Sequence, residues 1–322
     1  MSSAHSDTRI KLAAVQAAPV LFNKEATTAK VCYLILEAGR NGAQVIGFPE
    51  GFIPGHPGWV EVLPLSGELA TSLFLEQFEQ SVEVPGPETD AIAVACKEAE
   101  IYAVVGINER RPNTTGTLFN TQLFFGPDGS LLHKHQKYVP TVGERLIHAP
   151  GDTGSAASVM TPFGTLSGLI CGENGNPLAQ YSLGLDYPVI HVASWPSHFG
   201  PGSDLQAMVH TISGGLATSL MCYVINSVAL VGEDALDRYG TSPEVNEFLR
   251  AEQKKRRATI VSPGGAIIAG PLEDEGEGIL YAEVGRNVLI KGKYGLDYAG
   301  HYNRPEIFAH HFQHYLRDRK VD

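Results

Sequence analysis

The hydrophobic pattern alternates between short apolar runs and longer segments with helical spacing. Residues 10–16 form an apolar run that predicts a strand, and Asn23 is a suitable N-cap for a helix that stops near Gly39. A second apolar run over residues 44–48 leads directly into Pro49 and Glu50. This order of strand, helix and strand is typical of an α/β fold.

The same alternation continues along the rest of the chain. Further helices are predicted over residues 69–79, 88–99 and 204–219, and another begins after Asn176, where Pro177 suits the first turn. Further strands are predicted over residues 101–108, 118–125, 131–135, 159–161, 166–170, 189–193, 223–227, 259–261, 266–269 and 279–283. No linker or repeat divides these elements, so we predict one α/β domain whose sheets are covered by helices.

The domain is expected to span residues 9–290. Residues 1–8 are predicted to form a flexible N-terminus, and residues 291–322 a C-terminal segment that contributes to an oligomer interface. A chain of 322 residues with 43% hydrophobic residues can bury such a core without disulfides or metals.

Charge and cysteine content narrow the class of protein. A formal net charge of −11 argues against nucleic-acid binding, and the one basic run, residues 254–257, is predicted to be a solvated face. No apolar stretch is long enough to span a membrane, and the first residues do not resemble a signal peptide. The four cysteines show neither disulfide nor zinc spacing, so we expect a reduced, cytoplasmic protein.

Three chemically reactive residues follow predicted strands. Glu50 follows the strand at residues 44–48, Lys137 the strand at 131–135, and Cys171 the strand at 166–170. Ligands of α/β proteins bind at the carboxyl ends of strands. An acid, a cation and a thiol are therefore predicted to converge on one site.

Each of these residues also has an ordinary structural interpretation. A cysteine after an apolar strand is more often a packing residue, and Cys171 could attack a substrate only if a base removed its proton. Glu50 is either that general base or a solvated loop carboxylate. Lys137 is either an electrostatic catalyst or a surface lysine, and Glu144 either orients Lys137 or pairs with Arg145. Packing is the expected role of the remaining cysteines, Cys32, Cys96 and Cys222.

Histidines offer two competing hypotheses. His191 or His198 could activate Cys171 as in a thiol protease, but the sequence around the cysteine lacks papain-like surroundings. His133 and His135 share one strand face and could bind a metal, yet no second metal motif supports them. We therefore predict no metal.

Taken together, three motifs resemble those of the nitrilase superfamily of carbon–nitrogen hydrolases. They are Phe-Pro-Glu ending at Glu50, Lys-Tyr-Val-Pro-Thr from Lys137 with Glu144 nearby, and Cys-Gly-Glu-Asn from Cys171. The resemblance extends from about residue 10 to residue 304, and the Gly-His-Tyr-Asn-Arg-Pro segment from Gly300 resembles the true nitrilase branch. It implies an α-β-β-α sandwich in which Glu50, Lys137, Cys171 and Glu144 are catalytic.

The resemblance also implies an activity. A nitrile and water would give the carboxylic acid and ammonia through a thioimidate and then a thioester on Cys171, with no cofactor. The protomers would pair through a helical layer into homo-oligomers built from dimers. An amidase or carbamoyl hydrolase is the main alternative, and a catalytically idle scaffold is another.

Residues near the three motifs are expected to contact the substrate. Trp59, Tyr138 and Trp195 are candidates for the pocket wall, although each could equally be a packing residue. Gly172 and Ser194 could supply backbone N–H groups to an anionic intermediate.

Overall fold

The structure is a computed structural model that describes residues 9–272 and 276–317, with side chains described as far as residue 314. The predicted flexible N-terminus, residues 1–8, lies outside the described residues. Within the described ranges, no helix is long and apolar enough to cross a membrane.

Each predicted strand and helix is present, in the predicted order, and further helices occur in the second half of the chain. The strands are β1 Arg9–Gln16, β2 Val45–Gly47, β3 Tyr102–Arg110, β4 Leu118–Phe125, β5 Leu131–Gln136, β6 Ser158–Thr161, β7 Gly164–Ile170, β8 Pro188–Trp195, β9 Tyr223–Val228, β10 Thr259–Val261, β11 Ile267–Ala269 and β12 Gly278–Gly285. The helices are α1 Lys24–Arg40, α2 Glu68–Glu79, α3 Pro87–Ala99, α4 Pro177–Gly184, α5 Leu205–Leu220, α6 Glu233–Tyr239, α7 Pro243–Gln253, α8 Arg286–Gly295 and α9 Ala309–Arg317.

The strands form two six-stranded sheets. The first sheet has the order β12-β1-β2-β3-β4-β5, and the second has the order β11-β10-β9-β8-β7-β6. Strands β1, β2 and β3 are parallel to one another, and so are β7, β8 and β9, while hairpins and antiparallel edge strands complete each sheet. Both sheets are therefore mixed.

Buried apolar side chains define four layers. Between the sheets, Val45 and Val104 of the first sheet share a cluster with Val192 and Ile225 of the second. The outer face of the first sheet packs against α1 and α3, and the outer face of the second packs against α4 and α5. The predicted α-β-β-α sandwich in a single domain is thus confirmed.

The sheets approach closely where β2 ends. A Cβ atom on Gly47 would lie 2.8 Å from the side chain of Val192, so only glycine fits this position. Hydrogen bonds tie the sheets together here, because Ser194 Oγ donates to Phe48 O at 2.7 Å and Ser227 Oγ donates to Gly47 O at 2.6 Å. Glu50, at the end of this segment, is consequently held against the second sheet.

Two helical regions and one charged segment differ from the sequence prediction. Helices α6, α8 and α9 occupy segments for which no helix was predicted, and α7 immediately precedes the basic run. The basic run at residues 254–257 is not a solvated face throughout. Arg257 is buried, pairs with Glu252 and donates to Ser197 O at 3.1 Å.

Candidate active site

A buried lysine lies between two buried carboxylates at the sheet ends. Lys137 Nζ donates to Glu50 Oε1 at 2.7 Å and to Glu144 Oε2 at 2.6 Å. All three side chains are at most 3% exposed. Glu50 comes from the segment after β2, Lys137 from the end of β5, and Glu144 from a 3₁₀ turn at Val142–Leu146. The alternative pairing of Glu144 with Arg145 is not formed, since Arg145 Nε donates to Pro140 O at 3.0 Å.

Asn120 also links the two carboxylates, independently of Lys137. Asn120 Nδ2 donates to Glu50 Oε1 and to Glu144 Oε1, both at 2.7 Å. Thr141 N also donates to Glu144 Oε2 at 2.9 Å, and His148 Nδ1 lies 3.0 Å from Glu144 Oε1. Both oxygens of Glu144 are therefore fully engaged. Glu50 is different, because its Oε2 is buried without a hydrogen-bond partner among the described residues.

Cys171 begins a short 3₁₀ turn, Cys171–Gly175, directly after β7. Its φ angle is 53°, a left-handed conformation that costs a non-glycine residue roughly 1–2 kcal/mol. The side chain is 1% exposed and packs in the apolar cluster between the second sheet and its helices, together with Trp195 and Leu169. Asn174 Nδ2 donates to the carbonyl of Cys171 at 2.9 Å, which fixes the turn.

Burial and charge set the protonation states of the site. Burial raises the pKa of the Cys171 thiol well above its ordinary value, and the charge of Glu50 raises it further, whereas Lys137 acts in the opposite direction. Burial opposes the charged form of Lys137, but Glu50, Cys171 and Glu144 together raise its pKa. Burial likewise opposes ionisation of Glu144, yet Lys137 and then His148 hold its pKa well below its ordinary value. The resting site thus contains a thiol, an ammonium and an ionised Glu144.

Glu173 links the segment of Lys137 to the segment of Cys171. Its Oε1 accepts a hydrogen bond from Tyr138 N at 2.6 Å, and its Oε2 accepts one from Ile170 N at 3.0 Å. The ring of His135 also lies 2.9 Å from Oε2. This buried carboxylate therefore joins the backbone after Lys137 to the residue before Cys171 and fixes their separation.

Of the five residues predicted to contact substrate, two have side chains that hydrogen-bond to neighbouring strands of the fold. Ser194 Oγ accepts from Gln122 Nε2 at 2.7 Å while donating to the first sheet. Trp195 is fully buried, and its Nε1 donates to Asn226 at 3.0 Å. Both side chains therefore act as packing and connecting groups.

The remaining three differ in surroundings. Trp59 is 2% exposed in a separate apolar cluster, and its Nε1 has no partner in the described part of the chain. Tyr138 is half-buried, with its hydroxyl donating to Ser155 O at 3.0 Å. A Cβ atom on Gly172 would meet only Thr141 Oγ1, at 3.6 Å. Gly172 is thus the open position beside Cys171.

The histidine alternatives receive other partners. His191 lies between Ser167 Oγ at 2.9 Å and Asn174 Oδ1 at 2.8 Å, and burial lowers its pKa to about 3. His198 lies 3.2 Å from the hydroxyl of Tyr239. His133 contacts Ala156 O, whereas His135 contacts Glu173, so the two do not share a ligand site.

Among the described residues, one set of three side chains lies close enough together to bind a metal ion. Glu50, His56 and Glu144 offer ligand atoms within 4.8 Å of one another. Lys137, however, already binds both carboxylates with its ammonium group. The ammonium therefore takes the place between the two carboxylates that a metal ion would need.

Known proteins share this arrangement of sequence and fold. The model of the carbon-nitrogen hydrolase family matches residues 11–294. The chain belongs to the carbon-nitrogen hydrolase family. Nitrilase 3 of an unidentified prokaryote is 35% identical over 305 residues, which cover 93% of this chain and 89% of that protein. A nitrilase of Paraburkholderia phymatum is 35% identical over 310 residues, with 94% and 87% covered.

A solved structure gives the same result for the fold. The carbon-nitrogen hydrolase of Helicobacter pylori G27 superposes with a TM-score of 0.71 at 17% identity, covering 94% of this chain and 98% of that one. Membership of the carbon-nitrogen hydrolase family makes this protein a hydrolase of carbon–nitrogen bonds, of the nitrilase type.

Sequence reasoning did not single out Asn120, His148 and Glu173 as site residues. One signal for Asn120 was present, because it begins a polar triplet, Asn-Thr-Gln, inside the otherwise apolar strand β4, and all of that strand is buried. Buried polar side chains inside a strand need partners, so they mark a network. His148 and Glu173 each lie close in sequence to a predicted catalytic residue but carry no such pattern.

Proposed function

We propose that this hydrolase is a nitrilase, which converts a nitrile and two water molecules into a carboxylic acid and ammonia. In this proposal Cys171 is the nucleophile, Glu50 the general base and acid, and Lys137 the electrostatic stabiliser, positioned by Glu144. The observation that carries it is the buried Glu50–Lys137–Glu144 chain of hydrogen bonds next to a buried thiol. The nitrilases at 35% identity support the choice of substrate class.

The first step joins sulfur to carbon. Because the pKa of Cys171 is raised, its proton must leave as the sulfur attacks the nitrile carbon. Glu50 Oε2 has no competing donor among the described residues and is the natural acceptor. The nitrile nitrogen then takes up a proton, which gives a neutral thioimidate.

Water completes the reaction in two additions. Glu50 removes a proton from the first water as its oxygen adds to the thioimidate carbon, and Lys137 stabilises the tetrahedral intermediate. Both protons of this water pass to nitrogen, one through Glu50 and one from the new hydroxyl as its oxygen becomes the carbonyl oxygen. The carbon–nitrogen bond then breaks, ammonia leaves, and a thioester remains on Cys171. A second water, activated in the same way, breaks the carbon–sulfur bond and releases the acid. No redox step occurs, so the proposal needs no cofactor.

The two carboxylates around Lys137 have different surroundings, which supports different roles. Glu144 accepts hydrogen bonds at both oxygens, and its pKa is held low, so it stays ionised. Glu50 keeps one oxygen without a partner in the described structure. Pairs of titratable groups in unequal environments commonly divide the work of acid–base catalysis in this way.

A matched panel of nitriles and amides tests the reaction class. We expect the purified enzyme to hydrolyse at least one nitrile with kcat/KM about 10²-fold or more above that of the corresponding amide, because loss of a fitted polar interaction discriminates on this scale. Ammonia release is the readout, with a Cys171→Ala preparation as the background control. A preference for the amide across the whole panel would make the enzyme an amidase instead.

Glu144→Gln tests the positioning of Lys137. The glutamine keeps the shape but lacks the charge that holds the ammonium, so we expect substrate binding to persist while kcat falls by roughly 10²-fold. Trapping of the acyl-enzyme by mass spectrometry shows which half of the reaction is slowed. Arg145→Gln, on the exposed next residue, is the matched control and should stay near wild type. A Glu144→Gln enzyme with wild-type kcat would remove Glu144 from the site.

The C-terminal segment is proposed to take part in a homo-oligomer. Its described part exposes large apolar side chains, including Tyr294 at 90%, Tyr302 at 59% and Phe308 at 52%. Exposed apolar residues at this density are typical of a surface that another chain covers. This supports a dimer as the building block of the assembly.

A further inference from the structure

His148 is a buried histidine that the reaction above does not use. Its side chain is 0% exposed, and the residue lies four positions after Glu144, just beyond the 3₁₀ turn. Nδ1 lies 3.0 Å from Glu144 Oε1, and Nε2 lies 2.8 Å from Asn108 Oδ1. Both ring nitrogens therefore face oxygen atoms, and the donors and acceptors in these two contacts determine the protonation of the ring.

The contact with Asn108 requires a proton on Nε2. Asn108 Nδ2 lies within hydrogen-bond distance of three backbone carbonyls, those of Gly51, Ile53 and Gly55, at 3.0, 3.2 and 3.0 Å. Carbonyl oxygens only accept, so the amide nitrogen must be on this side. The opposite atom of the amide is consequently the acceptor Oδ1, and His148 Nε2 must donate to it.

The contact with Glu144 requires a proton on Nδ1. Three other donors already converge on this carboxylate: the ammonium of Lys137, the amide of Asn120 and the backbone N–H of Thr141. Such convergence favours the ionised carboxylate, which only accepts hydrogen bonds. Nδ1 must then donate as well.

We propose that His148 is a positioning residue that is held as the doubly protonated imidazolium and keeps Glu144 permanently ionised. With His148 charged, the buried cluster contains two carboxylates and two cations before the reaction starts. Glu50 is then the one carboxylate whose proton can move without disturbing the anchor of Lys137. This role rests on the proposed function, because Glu50 and Lys137 take their roles from it.

The neighbouring titratable groups are compatible with this charge. Burial lowers the pKa of His56, so its ring, 3.8 Å from Glu50 Oε1, is neutral and adds no competing cation. Burial raises the pKa of Glu61, and the charge of Glu144 raises it further. Lys137 is the second cation of the cluster and shares Glu144 with His148.

Nitrogen NMR on the whole enzyme tests the protonation state directly. Protein labelled with ¹⁵N-histidine gives ring resonances that separate protonated from unprotonated nitrogens, and the His148 signals are those missing from a His148→Gln variant. We expect both ring nitrogens to be protonated over the neutral range, from about pH 6 to pH 8. An unprotonated Nδ1 in this range would overturn the proposal. This measurement requires no turnover, so it is independent of whether nitriles are the substrates.

Kinetics on the same His148→Gln variant test the consequence. Glutamine can still donate to Glu144 but carries no charge, so the pKa of Glu144 rises and this carboxylate becomes protonated at higher pH. We expect the acidic limb of kcat/KM to move to higher pH by about one unit, with kcat lowered roughly tenfold and KM nearly unchanged. His198→Gln is the matched control, because burial lowers the pKa of His198 to about 4 and its ring is already neutral. Its acidic limb should not move. A wild-type pH profile in His148→Gln would reduce His148 to a packing residue.

Discussion

Cys171→Ala should abolish turnover while the protein stays folded. No other group in the described site can form the thioimidate and the thioester, so kcat should fall below about a thousandth of the wild-type value, the scale of nucleophile removal. Alanine adopts the same backbone conformation as cysteine, and the change removes one buried sulfur atom from the apolar cluster around Trp195. We expect a modest loss of stability, measured by denaturant unfolding, alongside the complete loss of ammonia release.

The other cysteines provide the control for this experiment. Cys96 and Cys222 are buried, and burial raises the pKa of each thiol, that of Cys222 to about 12. Neither thiol is in contact with the Glu50–Lys137–Glu144 cluster, and the charged groups Glu50, Lys137 and Glu144 act on the pKa of Cys171 but not on the pKa of Cys96 or Cys222, so Cys96→Ala and Cys222→Ala should keep kcat within a few-fold of wild type. A folded Cys171→Ala enzyme that released ammonia at a tenth of the wild-type rate would require a different nucleophile.

The raised pKa of Cys171 also bears on how this thiol could react with a substrate. Burial and the charge of Glu50 favour the thiol over the thiolate, so the resting enzyme holds the proposed nucleophile in the less reactive form. In the proposed mechanism, attack must therefore be coupled to loss of the thiol proton, and Glu50 Oε2, which has no partner among the described residues, can accept it. In this mechanism the reactive thiolate forms only as the sulfur attacks the substrate carbon.

The sequence predicted the parts of the fold that depend on local pattern. Alternating apolar runs identified the central strands, and Asn23 and Asn176 indeed cap α1 and α4 by accepting from backbone N–H groups. The positions of Glu50 and Cys171 after strands followed from the same pattern. Strands β2 and β7 lie in the two sheets that pack face to face, and Glu50 N donates to Trp195 O of the second sheet at 3.2 Å, so the charge of Glu50 acts on Cys171.

Contacts between distant segments could not be predicted in this way. Asn120 reaches the site because β3 and β4 pair with Asn108 opposite Asn120, a register that no local signal specifies. Arg257 can be buried because its guanidinium pairs with Glu252 and donates to the carbonyl of Ser197. The side chain of Ser194 bonds to the first sheet, and its backbone lies in β8, paired with both β7 and β9. In each case the partner comes from elsewhere in the sequence.

Lys137→Met should remove both the catalytic charge and the charge balance of the cluster. Methionine fills nearly the same volume, but the intermediate loses its ammonium, so we expect kcat to fall by about 10³-fold or more. Removal of one partner from a buried ion pair costs about 3–5 kcal/mol, because Glu50 and Glu144 are left facing each other without a cation between them. The variant should therefore also unfold at lower denaturant concentration.

Loss of Lys137 should also change how the stability of the protein depends on pH. In the wild-type enzyme the pKa of Glu144 is depressed, so its contribution to stability is present above its unfolded pKa and is lost as the pH falls through the folded pKa. Without Lys137, Glu144 loses the largest of the interactions that lower its pKa, and those with His148 and His56 remain. As the pH falls, Lys137→Met should therefore lose the stabilising contribution of ionised Glu144 at a higher pH than the wild-type enzyme does, as measured by denaturant unfolding at several pH values.

A double variant separates the two effects of Lys137. Lys137→Met combined with Glu144→Gln removes one cation and one carboxylate, which restores the charge balance but not the ammonium that faces the intermediate. We expect the double variant to recover most of the lost stability while its kcat stays at the level of Lys137→Met. Recovery of activity together with stability would mean that Lys137 acts only by holding the cluster together, and that another group stabilises the tetrahedral intermediate.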